Sequence, residues 1–159
     1  YSFHNHVHNS LNPKILTISE LREGFHAVKV AEKTLKRNVE SIPYPYVKNL
    51  LSRNWFQVKN SEAVFAVGML ESPHVVKGGT GWAVQMGIDS LKPIFIFDQK
   101  SEKWYKFRYD SMKFLPTYDV PVLTENFAGI GTRKLKGCGK NAIREVLRYN
   151  YLITDVTKM

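Results

Sequence analysis

One cysteine, Cys138, stands alone among 159 residues, so no internal disulfide framework can hold the chain and its stability must come from a packed core. The lone thiol also fits a reducing compartment. Long apolar runs are missing too: no stretch approaches the roughly 20 residues that a membrane-crossing helix needs. Acidic residues are scarce, with 14 Asp and Glu against 23 Lys and Arg, a formal net charge of +9. Such a charge draws nucleotides or nucleic acid by long-range attraction, without choosing between them. The basic residues are scattered (Lys33, Lys36, Arg37, Lys100, Lys106, Arg133, Lys140) and form no dense tail, which favours a solvated basic surface over a dedicated nucleic-acid arm. Hydrophobic residues at 43% and aromatics at 13% are ample for one globular domain of this length. The composition predicts a soluble, cytoplasmic protein. The chain opens at Tyr1 and not at a methionine, which is read as a trimmed beginning.

Residues 76–89 read Val-Lys-Gly-Gly-Thr-Gly-Trp-Ala-Val-Gln-Met-Gly-Ile-Asp. This glycine-rich turn follows a strand-like run and opens into a helix-like one. Gly78, Gly79 and Gly81, with Thr80 among them, let backbone approach a ligand closely while the first N–H groups of the helix point at the same spot. Phosphate is the natural occupant. Upstream, Ala63 to Leu70 is an almost unbroken apolar run, as a parallel strand covered on both faces requires; downstream, Pro93 to Phe97 is another. Strand, turn, helix and strand make a βαβ unit. Ligands of open α/β sheets sit beyond the carboxyl ends of the strands, so Gly78–Gly81 and Asp98-Gln99 are expected to line one crevice.

Thr17-Ile-Ser-Glu20 is a capping-box sequence, and Leu21, Phe25, Val28, Ala31 and Leu35 follow it at helical spacing. The prolines of Ile42-Pro-Tyr-Pro-Tyr46 break that pattern. Helical spacing resumes from Val47 to Lys59 and places Arg53 and Asn54 where a helix leaning over the strand tips brings them to the crevice. Phe127-Ala-Gly-Ile-Gly-Thr-Arg133 is a second glycine turn, offering Gly129, Gly131, Thr132 and Arg133, before a last helix over residues 139–149. Residues 98–126 are long and aromatic, and either cover a sheet edge or form a lid. His4, His6 and His8 alternate, but with no carboxylate or cysteine beside them they read as surface residues and not as a metal site. No metal or other cofactor is expected.

The order Ser-Arg-Asn-Trp-Phe-Gln (52–57), Ser-Glu-Ala-Val-Phe-Ala-Val (61–67) and Gly-Gly-Thr-Gly (78–81) resembles the SLOG superfamily of Rossmann-like domains, which includes the LOG phosphoribohydrolases and the DNA-processing protein DprA. The resemblance covers roughly residues 47–147. Together with Phe-Asp-Gln (97–99) and the 127–133 turn, it is similar to a little-characterised branch found in phage and microbial proteins. It implies a single α/β Rossmann-like domain with a mostly parallel sheet between helix layers, and an earlier strand that is not found in this sequence, so that either those residues were lost or the site is built without them. It further implies Arg53 and the glycine backbone on phosphate, and a homodimer. LOG enzymes carry Pro-Gly-Gly-x-Gly-Thr-x-x-Glu where this chain has Lys77 to Gln85, so Gln85 takes the place of the glutamate implied in N-glycosidic cleavage. An amide cannot exchange a proton near neutral pH.

The first expectation is therefore binding, for sensing or sequestration, of a phosphorylated nucleoside or nucleotide-derived ligand. Trp82 or Trp104 would lie against the base and Asp98 or Gln99 on the sugar hydroxyls. A phosphoribohydrolase in which Asp98 or Glu125 replaces the missing glutamate is the second, and a DprA-like binder of single-stranded nucleic acid the third.

Overall fold

The computed structural model describes residues 1–4, 6 and 11–158. Helix α1 (Ile18–Leu35) begins at the expected capping box: the Thr17 hydroxyl accepts from the Glu20 N–H at 3.1 Å, and the Glu20 carboxylate accepts from the Thr17 N–H at 2.8 Å. Helix α2 (Pro45–Lys59) starts two residues earlier than its apolar spacing suggests, because a proline in the first turn gives up an N–H that has no helical partner there. The two helices cross closely at Gly24, where a Cβ would stand 2.2 Å from the Ser52 carbonyl oxygen.

Strand β1 (Ala63–Gly68) is buried along its whole length, which accounts for its unbroken apolar sequence. A small antiparallel hairpin, β2 (Leu70–Ser72) and β3 (Val75–Val76), then carries the chain into helix α3 (Gly78–Asp89). Strand β4 (Ile94–Asp98) returns parallel to β1, completing the βαβ unit. Strands β5 (Lys103–Arg108) and β6 (Lys113–Thr117) add antiparallel to β4, and β7 (Phe127–Ile130) lies parallel to β1 on its other side. The five-stranded sheet has the order β6-β5-β4-β1-β7, a parallel centre of β4, β1 and β7 with an antiparallel hairpin at one edge. Helix α4 (Gly137–Thr157) ends the fold.

Alternation along the strands sorts the core into two layers. Val64, Ala66, Ile94, Ile96, Ala128 and Ile130 pack with α1, α2 and α3; Val67, Phe97 and Trp104 pack with Ala142 and Val146 of α4. Gly87 sits where α3 meets the sheet, with the Val64 and Ile94 side chains 2.9 and 2.6 Å from where its Cβ would be. The chain is thus an α/β Rossmann-like domain with helices on both sides of its sheet. Residues 98–126 form the β5–β6 edge and then cross the α4 side to reach β7. Val120 and Leu123 pack there, and Asn150 ties the crossing down by accepting from the Leu123 N–H at 2.8 Å and donating to the Pro121 carbonyl at 3.1 Å. Among the described residues, no helix is long and apolar enough to cross a membrane.

Candidate functional site

The glycine turn is built from three glycines with different tasks. Gly78 has φ +70°, the left-handed conformation that swings the chain from β3 into α3. Gly79 is exposed and a Cβ there would meet nothing within 4 Å. Gly81 does not serve close ligand approach, as the sequence suggested: its Cβ would stand 2.0 Å from the Val76 carbonyl oxygen, so it lets α3 start hard against β3. No side chain caps α3, which leaves the N–H groups of its first turn, at Gly78, Gly79 and Thr80, without helical partners. From behind, Arg37 donates to the carbonyls of Gly78 (2.8 Å) and Val76 (3.0 Å), pairs with Glu71 at 3.1 Å, and lies 5.9 Å from the centre of the Trp82 ring. Arg37 was legible in the sequence only as one more scattered cation.

In front of the turn lies a cavity of about 670 Å³, within the range of small-molecule sites. Lys77, Gly78, Gly79 and Thr80 form one wall. Gly129 to Lys134 form a second, and Val47, Leu50, Leu51, Arg53, Asn54 and Gln57 of α2 the third, with Met69 between them. The two glycine turns are joined directly, since the Thr80 hydroxyl donates to the Gly131 carbonyl at 3.1 Å. The lining holds four cations, Arg53, Lys77, Arg133 and Lys134, and among the described residues it has no Asp or Glu.

Arg53 is the most telling of these. It is half-buried, and burial pushes its guanidinium below the usual arginine value, with Tyr46 opposing. Among the described residues no carboxylate lies within ion-pair distance of it, and its buried Nε has no hydrogen-bond partner. A desolvated cation without a counter-ion is costly, and an anion in the cavity would relieve that cost.

Several residues expected at the ligand are placed elsewhere. Trp82 is buried in the core beneath the turn, and Trp104 packs edge-on against Phe97 with centroids 5.5 Å apart, so neither ring lines the cavity as a platform for a base. Gln85 is buried in the middle of α3 and donates to Asp89 Oδ1 at 2.9 Å. Burial raises the Asp89 carboxyl above its ordinary value, only partly offset by that bond. Burial and the nearby Asp89 charge push the Tyr109 hydroxyl up to about 12.

Asp98 is a structural clamp at the end of β4. It accepts from the N–H of Leu70 (2.9 Å) and from the N–H (2.9 Å) and hydroxyl (2.7 Å) of Ser101. Burial alone would raise its carboxyl, but these bonds hold it below the ordinary aspartate value. Gln99 is likewise turned inward. Its Oε1 accepts from the Lys136 N–H at 2.7 Å and its Nε2 donates to the Lys134 carbonyl at 3.2 Å, which fixes the far end of the cationic turn. Glu125 lies outside the main cavity, on an adjoining one of about 370 Å³ that shares Gln57 and Gly129 with it.

Of the alternating histidines, His8 lies outside the described residues. The His6 ring stacks on Phe3 at 4.6 Å and its Nδ1 is 2.7 Å from the Ser2 hydroxyl. No group of His, Cys, Asp and Glu among the described residues has the arrangement of a metal site.

Compared with protein-family models, with curated proteins and with solved structures, the chain matches none. The functional reading rests on the cavity.

Proposed function

We propose that this protein binds a phosphorylated nucleoside or nucleotide-derived metabolite, with the phosphate between Arg53 and the start of α3, and that it senses or sequesters that ligand. One observation carries the reading: a half-buried guanidinium with an unpartnered Nε and an uncapped helix start line one cavity that holds no carboxylate among its described lining residues. Helix N-termini and arginine forks are both well suited to phosphate. Val47, Leu50, Leu51, Met69 and Ile130 supply apolar lining for the organic part of the ligand.

The SLOG resemblance points the same way, since Arg53 and the glycine turn are the positions it assigns to phosphate. Hydrolysis is the weaker reading. Gln85 is an amide paired with Asp89, the Asp98 oxygens are already engaged by three donors, and Glu125 lies beyond the main cavity. Pairing of two copies, implied by the same resemblance, belongs to the proposal and is read by light scattering.

Native mass spectrometry of the purified protein, followed by calorimetry with nucleoside monophosphates and ribose 5-phosphate, tests the reading. A retained or titratable phosphorylated ligand is expected, with affinity only mildly sensitive to salt. A steep loss of affinity with ionic strength, together with binding of single-stranded nucleic acid, would favour the nucleic-acid alternative. Failure of every phosphorylated compound to bind would overturn the proposal.

A further inference from the structure

Helix α4 buries only a narrow line of its surface. Gly139, Ala142 and Val146 pack on the sheet, and Asn150 continues that line through its bonds to Pro121 and Leu123. Beyond Asn150 the side-chain hydrogen bonds of the helix stay within it: Thr154 donates to the Asn150 carbonyl, and Thr157 to the carbonyls of Ile153 and Thr154. One residue back along the chain from the buried line, and so about a quarter turn round a helix of about 3.6 residues per turn, lies a second line, Tyr149, Leu152 and Val156. These side chains are 41%, 52% and 71% exposed. Large apolar groups at alternating three- and four-residue spacing form the seam of a helix pair, and a soluble chain gains by covering them.

The charges beside this seam decide what covers it. Arg148 and Asp155, seven residues apart, flank it on the side turned away from the sheet, and neither makes an ion pair among the described residues. Two copies of the seam laid antiparallel about a two-fold axis set Arg148 of each beside the partner's Asp155, two opposite-charge pairs from one symmetry operation. Parallel pairing in register would set arginine beside arginine and aspartate beside aspartate. The other exposed flank, Ile143, Leu147 and Tyr151, fits a second copy less well, because antiparallel overlap centred on Leu147 and Tyr151 brings Lys140 opposite the partner's Lys158.

We infer that Tyr149, Leu152 and Val156 are the surface through which two copies of this chain pair, as an antiparallel α4 helix pair held in register by Arg148 and Asp155. The inference rests on the pairing proposed above and names its surface. Glu145 closes the seam at one end, so three apolar side chains from each copy interleave. That is less than the roughly 1,200–2,000 Å² which stable interfaces bury, so the dimer exchanges with monomer at micromolar concentration.

Sedimentation of the full chain over a concentration series tests the surface, for the wild type, Leu152→Glu, Arg148→Asp, Asp155→Arg and an equal mixture of the last two, with melting temperatures confirming that each variant folds. The wild type is expected to shift from monomer to dimer as concentration rises. Leu152→Glu and each charge reversal alone should weaken that dimer by about tenfold or more. The mixture should recover it, since an Arg148→Asp copy presents two carboxylates to the two guanidiniums of an Asp155→Arg copy. A wild-type dimer untouched by Leu152→Glu would overturn this surface and leave pairing standing. Single reversals that weaken the dimer without recovery in the mixture would overturn the antiparallel register, and a wild type that stays monomeric throughout would overturn both the surface and the pairing.

Discussion

The Thr80 hydroxyl, in the first turn of α3, donates to the Gly131 carbonyl beyond the end of β7 across 3.1 Å. Fifty-one residues of chain separate the two, and the bond joins the turns that form two walls of the cavity. Thr80 is buried, and the link couples the position of the helix start to that of the cationic turn at Arg133 and Lys134. The two walls of the cavity are therefore one unit built from two distant segments.

The three glycines of the first turn should separate binding from folding. Gly79→Asp puts a carboxylate into open space at the helix start, so phosphate binding should be lost with little change in melting temperature. Gly81→Ala forces a methyl group against the Val76 carbonyl and should lower the melting temperature. Calorimetry and thermal unfolding on both variants read the contrast; unchanged affinity in Gly79→Asp removes the turn from the site.

Removing Arg53 should cost affinity and not stability. Arg53→Ala is expected to weaken a phosphorylated ligand by about 1.5–3 kcal/mol, the range for a hydrogen bond to a charged group, and its dephosphorylated analogue far less. Because the free protein offers the guanidinium no counter-ion, its unfolding midpoint should stay level or rise. Equal losses for both ligands would assign Arg53 a packing role.

Gln99 is predicted to act through the backbone it holds. Gln99→Ala deletes the bonds to Lys134 and Lys136, so both the melting temperature and the affinity for inorganic phosphate should fall, the stability loss being about 1–3 kcal/mol. A residue that touched only a sugar hydroxyl would leave inorganic phosphate binding untouched. That outcome would restore the direct-contact role.

The pH response of the Gln85–Asp89 pair has a definite sign. The Asp89 carboxyl is raised in the folded state, so its contribution is full below its unfolded value and is lost as pH rises through the higher folded value. Asp89→Asn should flatten this part of the stability profile and bring the Tyr109 hydroxyl down from about 12, which ultraviolet titration of the phenol reads directly. Gln85→Glu sets a second carboxylate one turn from Asp89 in a buried position. Destabilisation at neutral pH, with no release of base from nucleoside monophosphates, is expected; robust base release would revive the hydrolase reading.

What local sequence determined were features that need only neighbours. The capping box of α1, the buried strands β1 and β4, the glycine turn between β3 and α3, and the placing of Arg53 on a helix before the strand follow from spacing, proline and glycine chemistry and apolar run length. Packing decided the rest. Residues 98–126 carry no clean period because their strands sit at an edge, half in solvent, and only pairing with β4 reveals them as a hairpin. Trp82, Gln85, Asp98 and Gln99 carry groups that suit a ligand as well as a core, and a side chain's partner is set by what the fold brings to it. Asp98 meets the Leu70 N–H, Gln99 meets Lys134 and Lys136, and Arg37 meets Val76 and Gly78, contacts spanning 28 to 41 residues of chain. The sequence determined that a glycine turn opens a helix there, because backbone conformation is a local property; the tertiary structure alone decided which side chains line the cavity in front of it.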